Sequence, residues 1–356
     1  MKVIEKPDMK PSVSVIIPCR NEENYIGKCL DSIIAQNYPK ELLEVLVIDG
    51  MSDDRTREIL KIYMHSYPYI KLLDNPRKIV PSALNVGIKY SKSEVIVIMG
   101  AHTEYANDYI SKCIMVLEKT NADNVGGAAR TKAKGYIQNA VSIAFKTSFG
   151  VGGAKSHYEE NEGYVDTITY GCYPRKVFDK IGLFDEELVR NQDDELNLRL
   201  TRSGGKIWQS PEIKSWYYPR ASIIALFKQY MQYGYWKVRV IQKHKILEAL
   251  RHIVPGMFVS TLILLAVLSV FNIFLLKIFI GLLIIYFSST VGASISACII
   301  PSKWKYIPIM PLIFSIYHFG YGYGFLRGVL DFIILKKGAS ETFTKLTRST
   351  EDYPKE

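Results

Sequence analysis

The signals that mark several common protein classes are missing from this chain of 356 residues. Its cysteines show no CxxC or other metal-ligand spacing, and an odd number without a pattern favours reduced, structural thiols over a disulfide framework. The first ten residues carry charges but no apolar run, so no signal peptide is predicted and the polar part of the chain is expected to stay in the cytoplasm. The cysteines are Cys19, Cys29, Cys113, Cys172 and Cys298.

Glycine-based nucleotide signatures are absent as well. The sequence has neither GxxxxGKS/T nor a GxGxxG that follows a strand, which leaves the P-loop and dinucleotide-binding classes without support. The glycines at 126–127 and 150–153 are more typical of tight turns than of a phosphate cradle. The net charge of +10 suits an anionic partner such as a phosphate group or a membrane surface. Nucleic acid ranks last among these partners, because lysine and arginine are scattered and no nucleic-acid-binding module is present.

Acidic residues are nearly absent from residues 253–335, which are rich in apolar side chains. A helix needs about 20 apolar residues to cross a bilayer, so the first two of three apolar stretches are predicted to span it. The third either spans, re-enters or lies at the interface, since a third crossing would place Lys336 and Lys337 on the wrong side for the positive-inside rule. The stretches lie at 253–276, 278–300 and 307–326, the last continuing as far as 334. The predicted domains are a catalytic-type polar domain at 1–245, a membrane domain at 246–340 and a polar tail at 341–356.

Short β-branched runs alternate with helical patterns over the first hundred residues. The runs lie at residues 12–18, 45–48, 71–73 and 95–99. Their alternation with helices predicts an α/β fold with a mostly parallel sheet and flanking helices. Ligands bind beyond the carboxyl ends of such strands, which points to residues 18–22, 49–54 and 100–104.

Three consecutive carboxylates, Asp193, Asp194 and Glu195, head a further predicted helix. Like charges packed side by side raise the pKa of at least one member, which indicates a proton acceptor or the edge of a metal site. The other interpretation is an ordinary acidic helix N-terminus, which the helix dipole stabilises. The remaining motifs decide between the two.

Residues 12–22 read SVSVIIPCRNE, residues 47–56 read VIDGMSDDRT and residues 191–199 read NQDDELNLR. In this order along the chain, these motifs resemble the family 2 glycosyltransferases, and in particular the succinoglycan-biosynthesis type that makes exopolysaccharide repeat units. Further matches to that subgroup are residues 149–153, 165–167, Gly171, Arg175 and residues 217–220. The resemblance covers about residues 12–240 and implies a GT-A fold, a sugar-nucleotide donor and inversion at the anomeric carbon.

The resemblance implies a nucleotide site at the first two strand ends. Asp49 matches the aspartate that accepts a hydrogen bond from the base, although an Asp before Gly50 is also a common turn. The residues expected to line the nucleotide or to close over the donor are Pro18, Arg20, Glu22, Lys78, Ser82 and Asn85. Helix capping by Asn21 and Glu22, and a solvated helix start for the last three, are the alternative interpretations.

The place where family members hold Mg or Mn through an Asp-x-Asp departs from that pattern. Gly100 replaces the first Asp and His102 replaces the second, while Glu104 offers a carboxylate on the same side of a strand-like segment. The resemblance therefore implies a divalent cation held by His102 and Glu104, and imidazole suits Mn better than Mg. The alternative is that His102 donates a hydrogen bond to the phosphate.

The general base of the family corresponds to Asp193, with Asp194 as the second candidate. Gln232 and Trp236 resemble the Gln-x-x-Arg-Trp motif of processive members, with Tyr235 in place of the arginine. Such a pair can hold a sugar ring by stacking and hydrogen bonding. An interfacial aromatic belt before the membrane region is the alternative.

The combined prediction is a multi-pass, membrane-anchored glycosyltransferase of the inverting, hexosyltransferase type, with its catalytic domain in the cytoplasm. It would move a sugar from a nucleotide donor to a lipid-linked or glycan acceptor. Alternatives are a processive polysaccharide synthase, for which three short apolar stretches are few, and a nucleotidyltransferase, which lacks its glycine-rich start. A non-catalytic membrane scaffold with a degenerate metal motif is a third, against which the intact Asp193 region argues. Donor sugar, base, linkage and oligomeric state are left open.

Overall fold

The computed structural model of the chain describes residues 10–345. These residues form two compact units. Unit 1 contains residues 10–130 and 158–217, and unit 2 contains residues 131–157 and 218–345. The predicted boundaries at residues 245 and 340 describe a functional division of the chain and stay a prediction.

Unit 1 begins with strands and helices that alternate as predicted. In chain order they are β1 (Val13–Cys19), α1 (Ile26–Ile34), β2 (Leu43–Asp49), α2 (Thr56–Ser66), β3 (Ile70–Asp74), α3 (Val80–Tyr90) and β4 (Val95–Ile98). β1 is buried on both faces, because helices cover both sides of a parallel sheet. α3 approaches this sheet closely at Gly87, where an added Cβ would lie 2.6 Å from Cγ2 of Ile16.

The later strands of unit 1 are shorter than most of the early ones, and the later elements were mostly not predicted. They are β5 (Thr103–Tyr105), α4 (Tyr109–Thr120), β6 (Asn124–Gly126), β7 (Ala129–Thr131, whose last residue belongs to unit 2), β8 (Gly163–Tyr164), β9 (Cys172–Pro174), α7 (Lys176–Ile181), α8 (Gln192–Arg202), β10 (Ile207–Gln209) and β11 (Ser215–Tyr217). Strands of two or three residues are too short to show a periodic pattern.

The main sheet has the strand order β3-β2-β1-β4-β9-β6-β10-β8. The first four strands are parallel, as predicted. β9 runs antiparallel to both β4 and β6, and β8 runs antiparallel to β10. The α/β prediction is therefore confirmed, but the sheet is mixed rather than mostly parallel. A second sheet has the order β5-β11-β7.

Unit 2 is helical in its described part. Its helices are α5 (Gly135–Phe145), α6 (Ser148–Val151), α9 (Ile223–His244), α10 (Val254–Leu268), α11 (Ile273–Ala297) and α12 (Met310–Gly328), and α12 continues as a π-helical turn over Val329–Ile334. α9 and α12 pack backbone to backbone at glycines: an added Cβ on Gly234 would lie 2.0 Å from the carbonyl oxygen of Tyr321. Small residues permit such close helix contacts.

Within residues 10–345, α11 is the helix that is both long and apolar enough to cross a membrane. α10 has 15 residues and is shorter than the predicted span, because Asn272 begins a new helix by accepting a hydrogen bond from the amide of Phe274. α12 packs along α9 and buries Ile313, Phe314 and Tyr317. The structure therefore supports one membrane-spanning helix among residues 10–345, and the prediction of several spans is not confirmed.

Candidate functional site

The carboxyl ends of β1, β2 and β4 lie at one edge of the main sheet, because the three strands are parallel neighbours. The loops after β1 and β2 are tied together by side chains. The Asn21 side chain donates to Asp53 at 2.7 Å, and the amide of Glu22 donates to the Thr56 hydroxyl at 2.8 Å. The capping interpretation expected a helix to begin at Asn21. Instead, Asn21 adopts a left-handed φ of 54° in the loop, and α1 begins at Ile26.

Asp49 ends β2 and is fully buried, with 0% of its side chain exposed. Its carboxylate accepts hydrogen bonds from the Ser52 hydroxyl (2.5 Å), the Ser52 amide (3.0 Å) and Nη1 of Arg57 (2.7 Å). Arg57 also bonds Asp74 at 2.8 Å, and these two carboxylates, Asp74 first, raise the pKa of its guanidinium. A carboxylate has about four acceptor positions, so Asp49 keeps room for one more donor.

Pro18 and Arg20 stand beside this carboxylate in the chain fold. Pro18 pairs with Ile48 in the register of β1 and β2 and is half-buried. The aliphatic part of Arg20 packs on Gly50, where an added Cβ would lie 3.2 Å from Cδ of Arg20. Gly50 thus permits the close approach of the arginine. The Nε atom of Arg20 is buried without a hydrogen-bond partner among residues 10–345.

The three residues predicted to close over the donor differ in their surroundings. Lys78 is exposed and adopts a left-handed φ of 61° in the turn before α3. Ser82 and Asn85 are buried in α3. Asn85 exchanges hydrogen bonds of 2.9 Å with the backbone of Phe184 and donates to Glu186 at 2.8 Å. The Asn85 amide therefore fixes the 184–186 loop.

His102 lies in the turn after β4, and its Nδ1 is 3.1 Å from Oε1 of Glu22. Glu104 and Glu22 also lie near the buried thiol of Cys29, whose pKa is raised by burial first and by the charges of these two carboxylates next. The three predicted residues are therefore grouped at the ends of β1 and β4. The contact between Glu22 and His102 was not predicted, because the two are 80 positions apart.

Glu22, His102 and Glu104 offer two carboxylates and an imidazole as possible metal ligands. Among residues 10–345, no cluster of three or more His, Cys, Asp and Glu side chains is arranged to hold a metal ion. Mg and similar ions, however, are often bound through one or two protein groups together with the phosphates of a substrate. A histidine that ligates metal usually donates its other ring N–H to a carboxylate, the relation that Glu22 has to Nδ1 of His102. The donor set therefore fits a site completed by a diphosphate, and not one made by protein alone.

Gly100 stands where the family pattern has its first aspartate, and the structure gives a reason for the glycine. An added Cβ would lie 2.9 Å from the ring of Tyr170. The Tyr170 hydroxyl accepts a hydrogen bond of 2.9 Å from Thr103, and the Gly100 amide donates to the Tyr105 hydroxyl at 2.6 Å. Tyr170 thus occupies the space that a carboxylate at position 100 would need.

The three carboxylates at the start of α8 have different surroundings. Glu195 is buried and forms a two-point ion pair with Arg199, at 2.7 and 2.9 Å. Asp194 accepts a hydrogen bond of 3.1 Å from Thr167. Asp193 is half-exposed. Burial of Tyr173 is the main cause of the raised pKa of that tyrosine, and the charge of Asp193 is the next. Glu195 is therefore paired within α8, while the chemical role of Asp193 and Asp194 stays a prediction.

The segment 167–171 connects α8 to the end of β4. Thr167 contacts Asp194, and the carbonyl of Ile168 accepts from the Asn197 side chain at 3.1 Å. Tyr170, three residues after Thr167, packs beside Gly100. Because three residues of extended chain span at most about 11 Å, this segment holds the head of α8 near the turn that carries His102.

Gln232 and Trp236 lie on α9 in unit 2 and are both 2% exposed. The Gln232 amide donates to the carbonyl of Lys345 at 2.8 Å, and the Trp236 indole donates to the carbonyl of Phe343 at 3.0 Å. The ring of Tyr235 stacks on Phe343 with centroids 3.8 Å apart. Residues 340–345 therefore cover Gln232, Tyr235 and Trp236, and a role of this motif in holding a sugar stays a prediction.

Residues 14–182 match the sequence model of the family described as "Glycosyl transferase family 2". The chain therefore carries a family 2 glycosyltransferase domain, and the protein is a glycosyltransferase.

Two curated relatives match nearly their whole length. The chain is 28% identical over 326 residues to dolichyl N-acetyl-alpha-D-glucosaminyl phosphate 3-beta-D-2,3-diacetamido-2,3-dideoxy-beta-D-glucuronosyltransferase of Methanococcus voltae, covering 89% of this chain and 97% of that protein. It is 28% identical over 327 residues to the succinoglycan biosynthesis protein ExoA of Rhizobium meliloti (strain 1021), covering 89% and 95%. The predicted resemblance to this subgroup is confirmed.

Among solved structures, the mannosyltransferase PcManGT of Pyrobaculum calidifontis, in complex with GDP-Man and Mn2+, is similar in fold. The TM-score is 0.54 at 17% sequence identity, and the match covers 87% of each chain. This similarity supports the GT-A-like α/β architecture.

Proposed function

We propose that this protein is an inverting glycosyltransferase that moves a sugar from a nucleotide donor to a lipid-linked or glycan acceptor. The observation that carries the proposal is the joining of two groups within unit 1. Glu22, Asp49 and His102 stand at the ends of neighbouring parallel strands, and the segment 167–171 links that edge to Asp193 and Asp194. One group is suited to bind a charged nucleotide and the other to accept a proton.

The donor nucleotide would bind at the ends of β1 and β2. Its base would donate a ring N–H to the remaining acceptor position of Asp49, beside Pro18 and Arg20. Asp49 is fully buried, whereas 31% of the Arg57 side chain is exposed, so Arg57 must shift or share the carboxylate when a base arrives. Lys78, on the exposed turn before α3, supplies a cation for the diphosphate. Ser82 and Asn85 lie buried in α3 after that turn, and the Asn85 amide holds the 184–186 loop.

A divalent cation, Mn or Mg, would be held by His102 and Glu104, with Glu22 orienting the imidazole. When bound, such an ion neutralises the negative charge on the departing diphosphate. The choice of Mn over Mg rests on the preference of imidazole for softer ions. A hydrogen bond from His102 to the phosphate is the competing role.

The transfer itself would use Asp193. A hydroxyl oxygen of the acceptor attacks the anomeric carbon from the face opposite the diphosphate. The new carbon–oxygen bond forms as the bond to the diphosphate oxygen breaks, and the electron pair leaves with the nucleoside diphosphate. The hydroxyl proton passes to the Asp193 carboxylate, and Asp194, bound to Thr167, is the second candidate for this role. Attack from the opposite face inverts the configuration at the anomeric carbon.

The acceptor class is suggested by the relatives and by the apolar part of unit 2. One relative is named for a dolichyl-phosphate-linked sugar and the other for succinoglycan synthesis. α10 and α11 form an apolar hairpin joined by four residues, with α11 long enough to cross the bilayer. We propose that this hairpin anchors the protein in the cell membrane with its catalytic unit in the cytoplasm. An anchor of this kind suits a lipid-linked acceptor, because both diffuse in one plane.

The proposal is tested by adding a panel of UDP-, GDP- and dTDP-sugars to the full-length protein in detergent. Nucleotide release and a rise in thermal midpoint should identify one preferred donor. Transfer of its radiolabelled sugar to a membrane lipid extract should then follow, with the product anomer opposite to that of the donor. A protein that binds no sugar nucleotide and releases no nucleoside diphosphate would instead match a non-catalytic scaffold. A product with the donor's own configuration would contradict inversion.

A further inference from the structure

A cluster of lysines and aromatic rings follows the apolar helix α11 in unit 2 and has no role in the proposed reaction. Its members are Lys134, Tyr136, Lys303, Trp304, Lys305 and Tyr306, here called the basic–aromatic collar. The last four lie on the 3₁₀ turn Pro301–Tyr306, directly after α11 ends at Ala297. The collar thus stands at the end of the helix best suited to enter a bilayer.

The collar is built from two segments that contact each other. The Tyr136 hydroxyl donates a hydrogen bond of 2.7 Å to the carbonyl of Lys305, and the Tyr136 ring stacks on Tyr306 with centroids 5.2 Å apart. The ammonium of Lys305 lies 5.2 Å from the centroid of the Tyr306 ring. α5 therefore fixes the turn, so that the lysines are presented by an ordered backbone and not by a loose loop.

Exposed apolar side chains adjoin these lysines. Ile299 is 71% exposed, Ile300 is 53% exposed and Trp304 is 57% exposed. Two isoleucines between the end of α11 and Lys303, and a tryptophan between Lys303 and Lys305, bring exposed apolar and cationic side chains together within residues 299–305. That composition is typical of residues at the boundary between the acyl chains and the headgroups of a membrane.

The distribution of charge along the sequence points the same way. Residues 131–157 contain four lysines and no acidic residue, and residues 249–330 contain no acidic residue at all. At the opposite end of the hairpin, the connection at 269–272 has no charged residue, and Lys277 is the nearest cation in the sequence. Positive charge is therefore concentrated at the end of α11 that carries the collar.

From these observations we infer that the collar binds the phosphate headgroups of anionic phospholipids. The lysines would pair with the phosphates while Trp304 and the isoleucines enter the adjoining acyl layer. The apolar neighbours favour a lipid over free phosphate, which has nothing to place against them. This inference rests on the proposed membrane anchoring, since a protein outside a bilayer would have no headgroups to select.

The test uses Trp304 as a local reporter in the full-length protein, reconstituted in mixed vesicles of phosphatidylglycerol and phosphatidylcholine. In one set only the phosphatidylglycerol has brominated acyl chains, and in the other only the phosphatidylcholine does. Fluorescence of a Trp304→Phe variant is subtracted to isolate the signal of Trp304. At equal mole fractions, brominated phosphatidylglycerol should quench Trp304 more strongly, because anionic lipid is enriched around the collar.

The double variant Lys303→Ala/Lys305→Ala should abolish this preference, reducing the enrichment by roughly thirtyfold if each lysine contributes as basic residues near anionic membranes usually do. The matched variant Lys89→Ala/Lys92→Ala removes two exposed lysines from unit 1 and should leave the preference intact, as should Lys277→Ala. Inorganic phosphate should not reverse the preference beyond the effect of chloride at the same ionic strength.

The outcomes separate the collar from the anchor. Equal quenching by the two brominated lipids, or equal effects of all three lysine variants, would overturn the collar proposal while membrane anchoring stands. Reversal by inorganic phosphate alone would show a free-phosphate site and would also overturn it. Absence of quenching by either lipid would contradict the anchoring on which the inference rests.

Discussion

The strand-end site of unit 1 and the Gln232–Trp236 stretch of unit 2 both match motifs of one enzyme family, yet their surroundings differ. In unit 1, Asp193 and His102 remain partly exposed, and the loops that carry the site are tied to one another. In unit 2, Gln232 and Trp236 are 2% exposed and bonded to residues 343 and 345 of the same chain. A motif on loops at a sheet edge thus keeps its side chains accessible to ligands. On a packed helix, the polar groups of a motif form hydrogen bonds with neighbouring parts of the same chain.

The strongest test of this contrast is Asp193→Asn, which should lower the rate of sugar transfer by about a thousandfold, because a positioned base contributes a factor of this order. Donor affinity should be unchanged. Asp194→Asn is the matched control, since it removes the neighbouring charge and should act less severely. Initial rates of sugar transfer at saturating donor would measure the loss in each variant. A larger loss in Asp194→Asn than in Asp193→Asn would make Asp194 the general base.

The covered state of the second region is tested by Phe343→Ala. Phe343 is 3% exposed and stacks on Tyr235, so its removal should lower the free energy of unfolding by about 3 kcal/mol. Thermal denaturation followed by tryptophan fluorescence should show a lower midpoint and a red-shifted spectrum as Trp236 meets water. Phe271→Ala, at an 83% exposed position, should change neither quantity. Equal midpoints for the two variants would show that residues 340–345 do not cover the motif in solution.

The proposed binding of a divalent cation by His102 in unit 1 is tested by His102→Asp. A carboxylate in place of imidazole should shift the ratio of activities with Mn and Mg toward Mg, because Mg prefers oxygen ligands. His65→Asp, on the exposed face of α2, should leave the ratio unchanged. Activity that survives EDTA, or an unaltered ratio in His102→Asp, would favour His102 as a hydrogen-bond donor to phosphate.

A smaller effect is expected for two buried thiols of unit 1, those of Cys19 and Cys29. Burial, followed by the charge of Glu22, raises the pKa of Cys19 and of Cys29. Both thiols should therefore stay protonated near pH 8.5, where an ordinary cysteine is about half ionised, and should react slowly with iodoacetamide. Above that pH the unfolded thiols ionise and the folded ones do not, so stability should fall as pH rises. Modification as fast as in urea-unfolded protein would show that this interior is open to solvent.

The sequence predicted the regular part of the fold well, since β1 to β4 and α1 to α3 carry clear periodic patterns. It did not predict β9, three residues long, and so missed the antiparallel half of the sheet. The predicted first span ran through the turn before Asn272, because apolar composition alone does not show where one helix ends and the next begins. The Asn272 cap was the available signal.

The site was predicted residue by residue from motifs, but its contacts were not. Arg57, which bonds both Asp49 and Asp74, belongs to no motif, although an arginine in the first turn of the helix that follows a strand-end aspartate is a usable signal. The packing of Tyr170 against Gly100 joins positions 70 residues apart. Contacts between distant positions depend on the tertiary fold, which periodicity does not describe. The splitting of Glu195 from its acidic neighbours could have been inferred from Arg199, four positions later.

The central claim is that Asp49 binds the donor while Asp193 takes the proton, and calorimetric titration with the preferred sugar nucleotide tests it most directly. Asp49→Ala should weaken donor binding by about tenfold or more, the loss of one hydrogen bond to a charged group. Asp193→Asn should bind the donor as the wild type does. Asp74→Ala, which also removes a partner of Arg57 but lies 57% exposed, should bind normally and so exclude an indirect effect through that arginine. Equal loss of affinity in Asp49→Ala and Asp193→Asn would contradict the division of roles.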